Sequence, residues 1–198
     1  MKAAAPYRLY ETAPSGNCWK VRLCLAELGL PHERVTLDLT DRERLAGLSR
    51  HRRVPVLIAA DGRPIVESAA ILVYLARGSS LLPETPSLQA EILSWLFWEQ
   101  ADLSKPLALP RFFRRMGWEQ ARAAEIAALR QEGARHLSFL ENWLAGRPYL
   151  TGAEYTLADL ACHVYVHLAP EGGQDLSAYP AVGAWLDRIR ARPAWQPL

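Results

Sequence analysis

The sequence predicts a chain of two parts, an α+β domain followed by an all-helical domain. Strand-like and helical segments alternate up to about residue 77, whereas strand signals disappear beyond a Gly/Ser/Pro-rich linker at residues 78–86. Asp61-Gly62 lies between two short apolar runs and is the strongest short-range hairpin signal, because glycine adopts positive φ at no steric cost. We therefore assign residues 1–77 to the first domain and residues 87–198 to the second.

Composition and charge narrow the classes of function. The chain has 198 residues, of which 50% are hydrophobic and 22% charged, as is usual for globular proteins. A net charge of +2 argues against nucleic acid or an anionic membrane as the main partner. The apolar runs are too short to span a bilayer, and residues 1–10 lack the apolar core of a signal peptide. Three cysteines, an odd number, predict reduced thiols and a cytoplasmic location.

The first domain reads as strand, helix, strand, weak helix, strand, strand and helix. Gly29 and Pro31 mark the end of the first helix. The expected segments are strands at residues 7–10, 33–37, 54–59 and 64–66, helices at residues 18–28 and after residue 68, and a mobile turn or short helix at residues 38–47. Strand–helix–strand units imply parallel pairing, whereas the hairpin implies antiparallel pairing. The pattern therefore predicts a four-stranded mixed sheet with flanking helices, which is the thioredoxin-like βαβαββα layout.

A proline and two polar residues flank the predicted hairpin. Pro55 lies near the head of the first run and lacks an N–H, which leaves the Val54 backbone groups available for pairing outside the sheet. Glu67 and Ser68 follow the second run, and Ser68 is placed to cap the next helix, whose free amides form an anion site. Taken singly, these features also fit an ordinary hairpin packed on a capped helix.

The order strand, proline, hairpin, Glu-Ser and helix resembles the glutathione-binding half of the glutathione transferase superfamily. The resemblance implies a cis bond before Pro55 and backbone pairing of Val54 with the cysteinyl part of glutathione. It also implies that Glu67 and Ser68 hold the γ-glutamyl end.

Ser15 and Asn17 are the candidate catalytic residues. Ser15 precedes a helix, so it is either an N-cap or a hydroxyl directed at a bound thiolate beside the positive helix end. The resemblance extends over residues 15–22 and favours Ser15, because serine-type transferases carry their active-site serine six residues before the residue that is Val21 here. Asn17 is the alternative, because some bacterial members place the key side chain two positions later.

The energy required for this role is modest. Lowering the pKa of a free thiol from about 8.5 by ~2 units requires about 2.7 kcal/mol. A hydrogen bond to a charged group contributes roughly 1.5–3 kcal/mol, and a helix N-terminus adds roughly 0.3–1 kcal/mol. These contributions suffice without a metal or a general base, and we expect none.

Cys18 completes a C-x-x-C-like motif in which Ser15 replaces the first cysteine. Internal disulfide chemistry is therefore not expected. We interpret Cys18 as a buried structural residue, with a mixed disulfide to glutathione as the alternative. Cys24 and Cys162 lie in helical patterns and are expected in the core.

A basic run, Ser49-Arg50-His51-Arg52-Arg53, precedes Val54-Pro55. It is either a solvated charged loop or a cationic edge that attracts the glycyl carboxylate of glutathione, with His51 and Arg53 as the candidates. Many family members have Asn-Pro where this chain has Ser49-Arg50, so the sequence departs from the family pattern here.

The second domain shows only helical patterns. They cover residues 87–108, with Pro106 and Pro110 expected to bend or end the helix, then residues 118–144, a helix after Thr156 and a last helix near residue 180. Thr156 and Asp159 form a capping box with a structural role. His163 and His167 are spaced for a metal, but no third ligand is in phase.

Aromatic residues of the second domain are candidates for an apolar pocket. Trp98 and Asp102 share a helical face with Trp95, and Phe112 extends this wall. Such a pocket would take the second, electrophilic substrate, although helix–helix core packing explains Trp98 equally well and Trp95 better.

The resemblance implies a glutathione transferase that attaches the glutathione thiolate to a small apolar electrophile. By analogy, a homodimer is expected. One alternative is a non-catalytic interaction protein on the same fold. Another is a glutathione-dependent reductase, peroxidase or isomerase, although Ser15 in place of a cysteine argues against reductase chemistry.

Overall fold

The computed structural model describes residues 7–38, 40 and 42–198, and the described chain forms two compact units. One unit comprises the described residues up to Ser79 together with Ala194–Leu198, and the other comprises Ser80–Pro193. Residues 80–86 of the predicted linker thus belong to the helical unit, and the last five residues of the chain belong to the sheet unit. In the described part of the chain, no helix is both long and apolar enough to cross a bilayer.

The first unit contains the predicted four-stranded mixed sheet. Its strands are β1 (Tyr7–Glu11), β2 (His32–Thr36), β3 (Val56–Ile58) and β4 (Pro64–Val66), in the order β2-β1-β3-β4. Strands β1 and β2 are parallel, whereas β3 runs antiparallel to both β1 and β4. The helices are α1 (Gly16–Glu27), α2 (Arg42–Leu48) and α3 (Ser68–Ala76), so the thioredoxin-like βαβαββα prediction is confirmed.

The turns form for the reasons that the sequence indicates. Helix α1 ends at Glu27, and Gly29 follows with φ of 61°, a conformation in which glycine has no Cβ penalty. Gly62 has φ of 83° in the connection between β3 and β4, as the Asp-Gly signal predicts. Both predicted turns are therefore confirmed.

The end of the chain packs against helix α1. The indole of Trp19 is fully buried, and its Nε1 donates a hydrogen bond to the Gln196 carbonyl oxygen at 2.8 Å. The ring of Trp195 meets Trp19 edge-on, with centroids 6.1 Å apart. A buried indole N–H requires an acceptor, and residues 194–198 supply it.

The second unit is all-helical, as predicted. Its helices are α4 (Pro86–Trp98), α5 (Ser104–Arg115), α6 (Ala123–Leu144), α7 (Leu157–Leu168) and α8 (Pro180–Arg190). A π-helical turn, Glu99–Leu103, joins α4 to α5, and Pro110 lies inside α5. Of the two expected effects, bending or ending the helix, the second does not occur, because helical structure continues past both prolines to Arg115. The helix is irregular just before Pro106, where the π-helical turn replaces the α-helical hydrogen-bonding pattern. This turn lies upstream of Pro106, which has no backbone N–H to donate.

The capping box at the start of α7 is confirmed. The Thr156 side chain accepts a hydrogen bond in the first turn, and Asp159 Oδ2 accepts from the Thr156 N–H at 3.1 Å. Asp159 Oδ1 also accepts from the Leu150 N–H at 2.8 Å and from Trp185 Nε1 at 2.9 Å. Through these hydrogen bonds, the fully buried carboxyl group connects the start of α7 to the preceding loop and to α8.

Burial raises the pKa of Asp159 to about 6, although its hydrogen-bond donors act in the opposite direction. Asp159 therefore holds its proton more tightly in the folded chain than in the unfolded chain, where its pKa is about 3.9. Its contribution to stability is fully present below about pH 4 and is lost as the pH rises through about 6. We expect the stability advantage of the wild type over Asp159→Asn to be larger at pH 4 than at pH 7, by roughly 2–3 kcal/mol.

Urea denaturation of both proteins at the two pH values measures this difference. Asp187→Asn, which removes a carboxylate whose side chain is 73% exposed, is the matched control and should show only a small effect on stability at both pH values. An advantage of the wild type that grows from pH 4 to pH 7 would contradict the proposed direction.

Candidate functional site

The sheet register brings three chain segments to the same end of the first unit. Tyr10 pairs with Val56 in β1 and β3, and Val56 pairs with Val66 in β3 and β4. The residues that follow β1 and β4 therefore lie at the same end as the residues that precede β3. These segments carry Ser15, Val54-Pro55 and Glu67-Ser68, so the fold gathers the main candidates that the sequence identified.

Ser15 caps helix α1. It has extended backbone angles, and its Oγ accepts a hydrogen bond from the Cys18 N–H at 3.3 Å. This confirms the capping interpretation and leaves the functional one open, because a hydroxyl that accepts can also donate its own proton. The half-buried Ser15 hydroxyl therefore has a donor for a ligand at the positive end of the helix.

Cys18 and Cys24 are fully buried, as is Cys162 in the helical unit, and none of the three is in a disulfide. Burial raises the pKa of the Cys18 thiol, and the Ser15 hydroxyl offsets part of this shift. A buried thiol with a raised pKa is a poor nucleophile. These findings agree with the structural role expected for Cys18.

Asn17 lies at the centre of a hydrogen-bonded group. Its Oδ1 accepts from Lys20 Nζ at 2.9 Å and from Ser68 Oγ at 3.4 Å. Asn17 is half-buried, whereas Lys20 is fully buried and Ser68 is 3% exposed. The structure thus connects two of the predicted glutathione-binding residues directly, although they are 51 positions apart.

Sequence reasoning missed Lys20. The available signal was its position within a run of α1 residues that are otherwise mostly large and apolar, where a charged side chain needs a buried partner. Periodicity alone assigns such a lysine to the solvated face of the helix.

The expectation that Ser68 caps α3 is wrong. Ser68 is the first residue of the helix, and Glu67 occupies the N-cap position without a side-chain capping hydrogen bond. Glu67 has φ of 70° and ψ of 118°, a conformation that residues with a Cβ rarely adopt. Ser68 instead directs its hydroxyl at Asn17, and strained backbone of this kind clusters at ligand sites.

The Val54–Pro55 peptide bond is cis. Pro55 is buried, and Val54 is half-buried just outside the β-ladder, which begins at Val56. The backbone groups of Val54 therefore lie beyond the strand pairing, at the end of the sheet that carries the other candidates.

The basic run, residues 49–53, lies just before β3, and its residues 50–53 are exposed. His51 Nε2 lies 3.9 Å from Glu67 Oε1 and accepts a hydrogen bond from Arg50 Nε at 2.9 Å. Arg53 is exposed, and its backbone N–H donates to Ser49 Oγ at 3.4 Å. His51 is therefore beside a predicted binding residue, whereas Arg53 presents its side chain to solvent.

The three residues proposed for the second-substrate pocket lie in different surroundings. Trp98 contacts Trp95 and Phe139, with ring centroids 5.4 Å away in each case. Phe112 instead packs on Trp118, with centroids 5.8 Å apart. Asp102 is exposed in the π-helical turn. The structure thus offers two aromatic clusters in the helical unit, one around Trp98 and one around Phe112.

Within the described residues, no group of three or more His, Cys, Asp and Glu side chains is arranged to hold a metal ion. His163 is 1% exposed, and its Nδ1 lies 3.0 Å from the Leu160 carbonyl oxygen, inside its own helix.

The fold defines a protein of the class that combines a thioredoxin-like unit with an all-helical unit. Two family models match the chain: the N-terminal domain of glutathione S-transferase over residues 9–81 and its C-terminal domain over residues 104–193. The chain belongs to the glutathione transferase superfamily.

Relatives cover nearly the whole chain. The disulfide-bond oxidoreductase YfcG of Escherichia coli is 33% identical, and the match covers 92% of this chain and 89% of that protein. A glutathione S-transferase from Pseudomonas fluorescens superposes with a TM-score of 0.94 at 38% identity, covering 98% of both chains. A glutathione transferase from Burkholderia graminis, with two glutathione molecules bound per subunit, has a TM-score of 0.84 at 28% identity over 96% of this chain and 85% of that one.

The backbone of Glu67 provides a test of strain at this site. We expect Glu67→Gly to be more stable than Glu67→Ala by about 1 kcal/mol, because glycine relieves the Cβ conflict at positive φ but loses more chain entropy on folding. Urea denaturation of the two variants compares the backbone effect while the carboxylate is absent from both.

If Glu67→Ala proved as stable as Glu67→Gly, the backbone of Glu67 would not be strained.

Proposed function

We propose that the protein binds glutathione at the sheet end described above and attaches the glutathione thiolate to a small apolar electrophile. The observation that carries this proposal is the convergence of hydrogen-bonding groups at one end of the sheet. The Ser15 hydroxyl and the Asn17 amide lie at the start of α1, and Asn17 is hydrogen-bonded to Ser68 at the start of α3.

Each part of the tripeptide has a proposed partner. The Val54 backbone groups pair with the cysteinyl residue, and Glu67 with Ser68 holds the γ-glutamyl end. Arg53 attracts the glycyl carboxylate through its positive charge, and His51 donates a hydrogen bond to it from its ring N–H. The two helix starts at this end of the sheet favour negative charge on the ligand.

The chemistry that follows is nucleophilic attack by sulfur. Ser15 and Asn17 donate hydrogen bonds to the thiolate, which lowers the thiol pKa, and the thiol proton is released to water. The sulfur then forms a bond to the electrophilic carbon, whose leaving group departs with its bonding electrons. We propose that aromatic residues of the helical unit, in the clusters around Trp98 and Phe112, bind the apolar electrophile.

A disulfide-bond oxidoreductase is the second candidate function. The similarity to YfcG over 92% of this chain favours it. In this reaction the glutathione thiolate attacks one sulfur of a disulfide and expels the other as a thiolate. A second glutathione then resolves the mixed disulfide, so that glutathione is oxidised and the substrate is reduced. Ser15 in place of a cysteine, the feature of the sequence that argues against reductase chemistry, does not exclude this reaction, since both electrons come from the two glutathione thiols.

Assembly and location remain proposals as well. We propose a homodimer by analogy with the family, and a reducing cytoplasmic location because none of the three cysteines is in a disulfide.

Substitution of the thiolate-stabilising residues tests the catalytic proposal. We expect Ser15→Ala and Asn17→Ala each to lower kcat/KM for conjugation of 1-chloro-2,4-dinitrobenzene by roughly 10- to 100-fold, the worth of a hydrogen bond to a charged group. The double variant should be lower still. Ser94→Ala and Asn142→Ala, at exposed positions of the helical unit, are the matched controls and should retain wild-type rates.

Parallel assays separate the candidate functions. Reduction of 2-hydroxyethyl disulfide by glutathione, without conjugation, would select the oxidoreductase. Glutathione binding by calorimetry without turnover in either assay would indicate a non-catalytic member. Normal conjugation by the Ser15→Ala, Asn17→Ala double variant would exclude the proposed thiolate stabilisation.

A further inference from the structure

Lys20 is the buried charge nearest in sequence to the proposed thiolate-binding residues. Its side chain is fully buried in α1, and its Nζ lies 2.9 Å from Asn17 Oδ1. Burying an ammonium group is costly unless polar atoms compensate it, so this contact constrains both side chains. Lys20 lies near the start of α1, which Ser15 caps.

The chemistry of the contact fixes the orientation of the Asn17 amide. An ammonium group has three donors and no acceptor, so only the oxygen of the amide can face it. The Ser68 hydroxyl donates to the same oxygen at 3.4 Å. The Asn17 nitrogen therefore lies on the other branch of the planar amide, and it can only donate hydrogen bonds.

Burial indicates which branch faces the ligand. Lys20 is fully buried and Ser68 is 3% exposed, whereas Asn17 is half-buried. The oxygen branch is thus directed at buried groups, and the nitrogen branch is the part of the amide left for the accessible side. A thiolate only accepts hydrogen bonds, so this orientation suits it and the flipped amide would repel it.

We propose that Lys20 is a positioning residue that holds the Asn17 amide with its nitrogen towards the glutathione sulfur. This inference rests on the proposed function and adds a residue that acts through Asn17. Lys20 itself does not touch the sulfur in this arrangement. It determines which end of the amide the sulfur meets.

The positioning role of Lys20 is tested by the thiol pKa of glutathione bound to the protein. This pKa is measured from the ultraviolet absorbance of the thiolate as a function of pH. In the wild type we expect a thiol pKa well below the value of about 8.5 for a free thiol. Lys20→Met should raise the bound thiol pKa by about 1 unit, or roughly tenfold less thiolate near neutral pH. Lys20→Arg, which also only donates, should restore part of the shift.

A double-substitution cycle separates positioning from a direct effect of the lysine charge. If Lys20 acts through Asn17, Lys20→Met should change the bound thiol pKa little in an Asn17→Ala background. Lys105→Met, which removes an exposed lysine of the helical unit, is the matched control and should leave the thiol pKa at the wild-type value.

Asn17→Asp keeps a partner for the buried ammonium while it exchanges the donating nitrogen for a second oxygen. We expect this variant to keep the wild-type thermal midpoint and to raise the bound thiol pKa at least as far as Asn17→Ala does. If circular dichroism shows that Lys20→Met does not fold, Asn17→Asp still tests whether the direction of the Asn17 amide sets the thiol pKa.

Each outcome is informative. A lowered thiol pKa in the wild type that Lys20→Met leaves unchanged would overturn the positioning role and leave the proposed function standing. An equal effect of Lys20→Met with and without Asn17 would also overturn it, in favour of a direct charge effect. Retention of the low thiol pKa by Asn17→Asp would overturn it too. A wild-type thiol pKa equal to that of free glutathione would remove the proposed function and this inference together.

Discussion

The antiparallel pairing of β3 with β1 and β4 is the constraint on which the candidate site depends. Strand β3 has three residues, yet it fixes where β1 ends relative to β4. A shift of one residue in this register would turn the buried side chains of Val56 and Leu57 to the opposite faces of the sheet. The apolar core therefore holds the register, and the register places the loop before α1 beside the start of α3.

Buried charge reinforces the same end of the sheet. Glu11, the last residue of β1, is 1% exposed and accepts hydrogen bonds from Arg22 and Arg34. Removing one partner from such a group is costly, because it leaves a buried charge without compensation. Glu11 and Arg22 lie on either side of the loop that carries Ser15. This network therefore secures both ends of the segment that presents Ser15 and Asn17, while Lys20 and Ser68 set the direction of the Asn17 amide.

Local sequence signals predicted the parts of the structure that depend on backbone geometry. Asp61-Gly62 and Gly29 mark turns because positive φ is unfavourable for other residues, and Ser15 and Thr156 begin helices because their oxygens satisfy free amides. Ser68 carried the same capping signal, and there the expectation failed. Glu67, with φ of 70°, occupies the N-cap position instead, and the capping pattern contains no information about that backbone conformation.

By itself, the sequence determined the fold class and the order of the elements, because these follow from periodicity and turn chemistry over short stretches. The candidate glutathione-binding residues came instead from the resemblance of its motifs to the glutathione transferase superfamily. Tertiary structure alone decided that Lys20 is buried beside Asn17, that Trp98 and Phe112 belong to different aromatic clusters, and that residues 194–198 pack on Trp19. Periodicity gives the direction of a side chain relative to its own helix axis. Which distant groups lie in that direction depends on packing between elements, so these contacts become visible only in the folded chain.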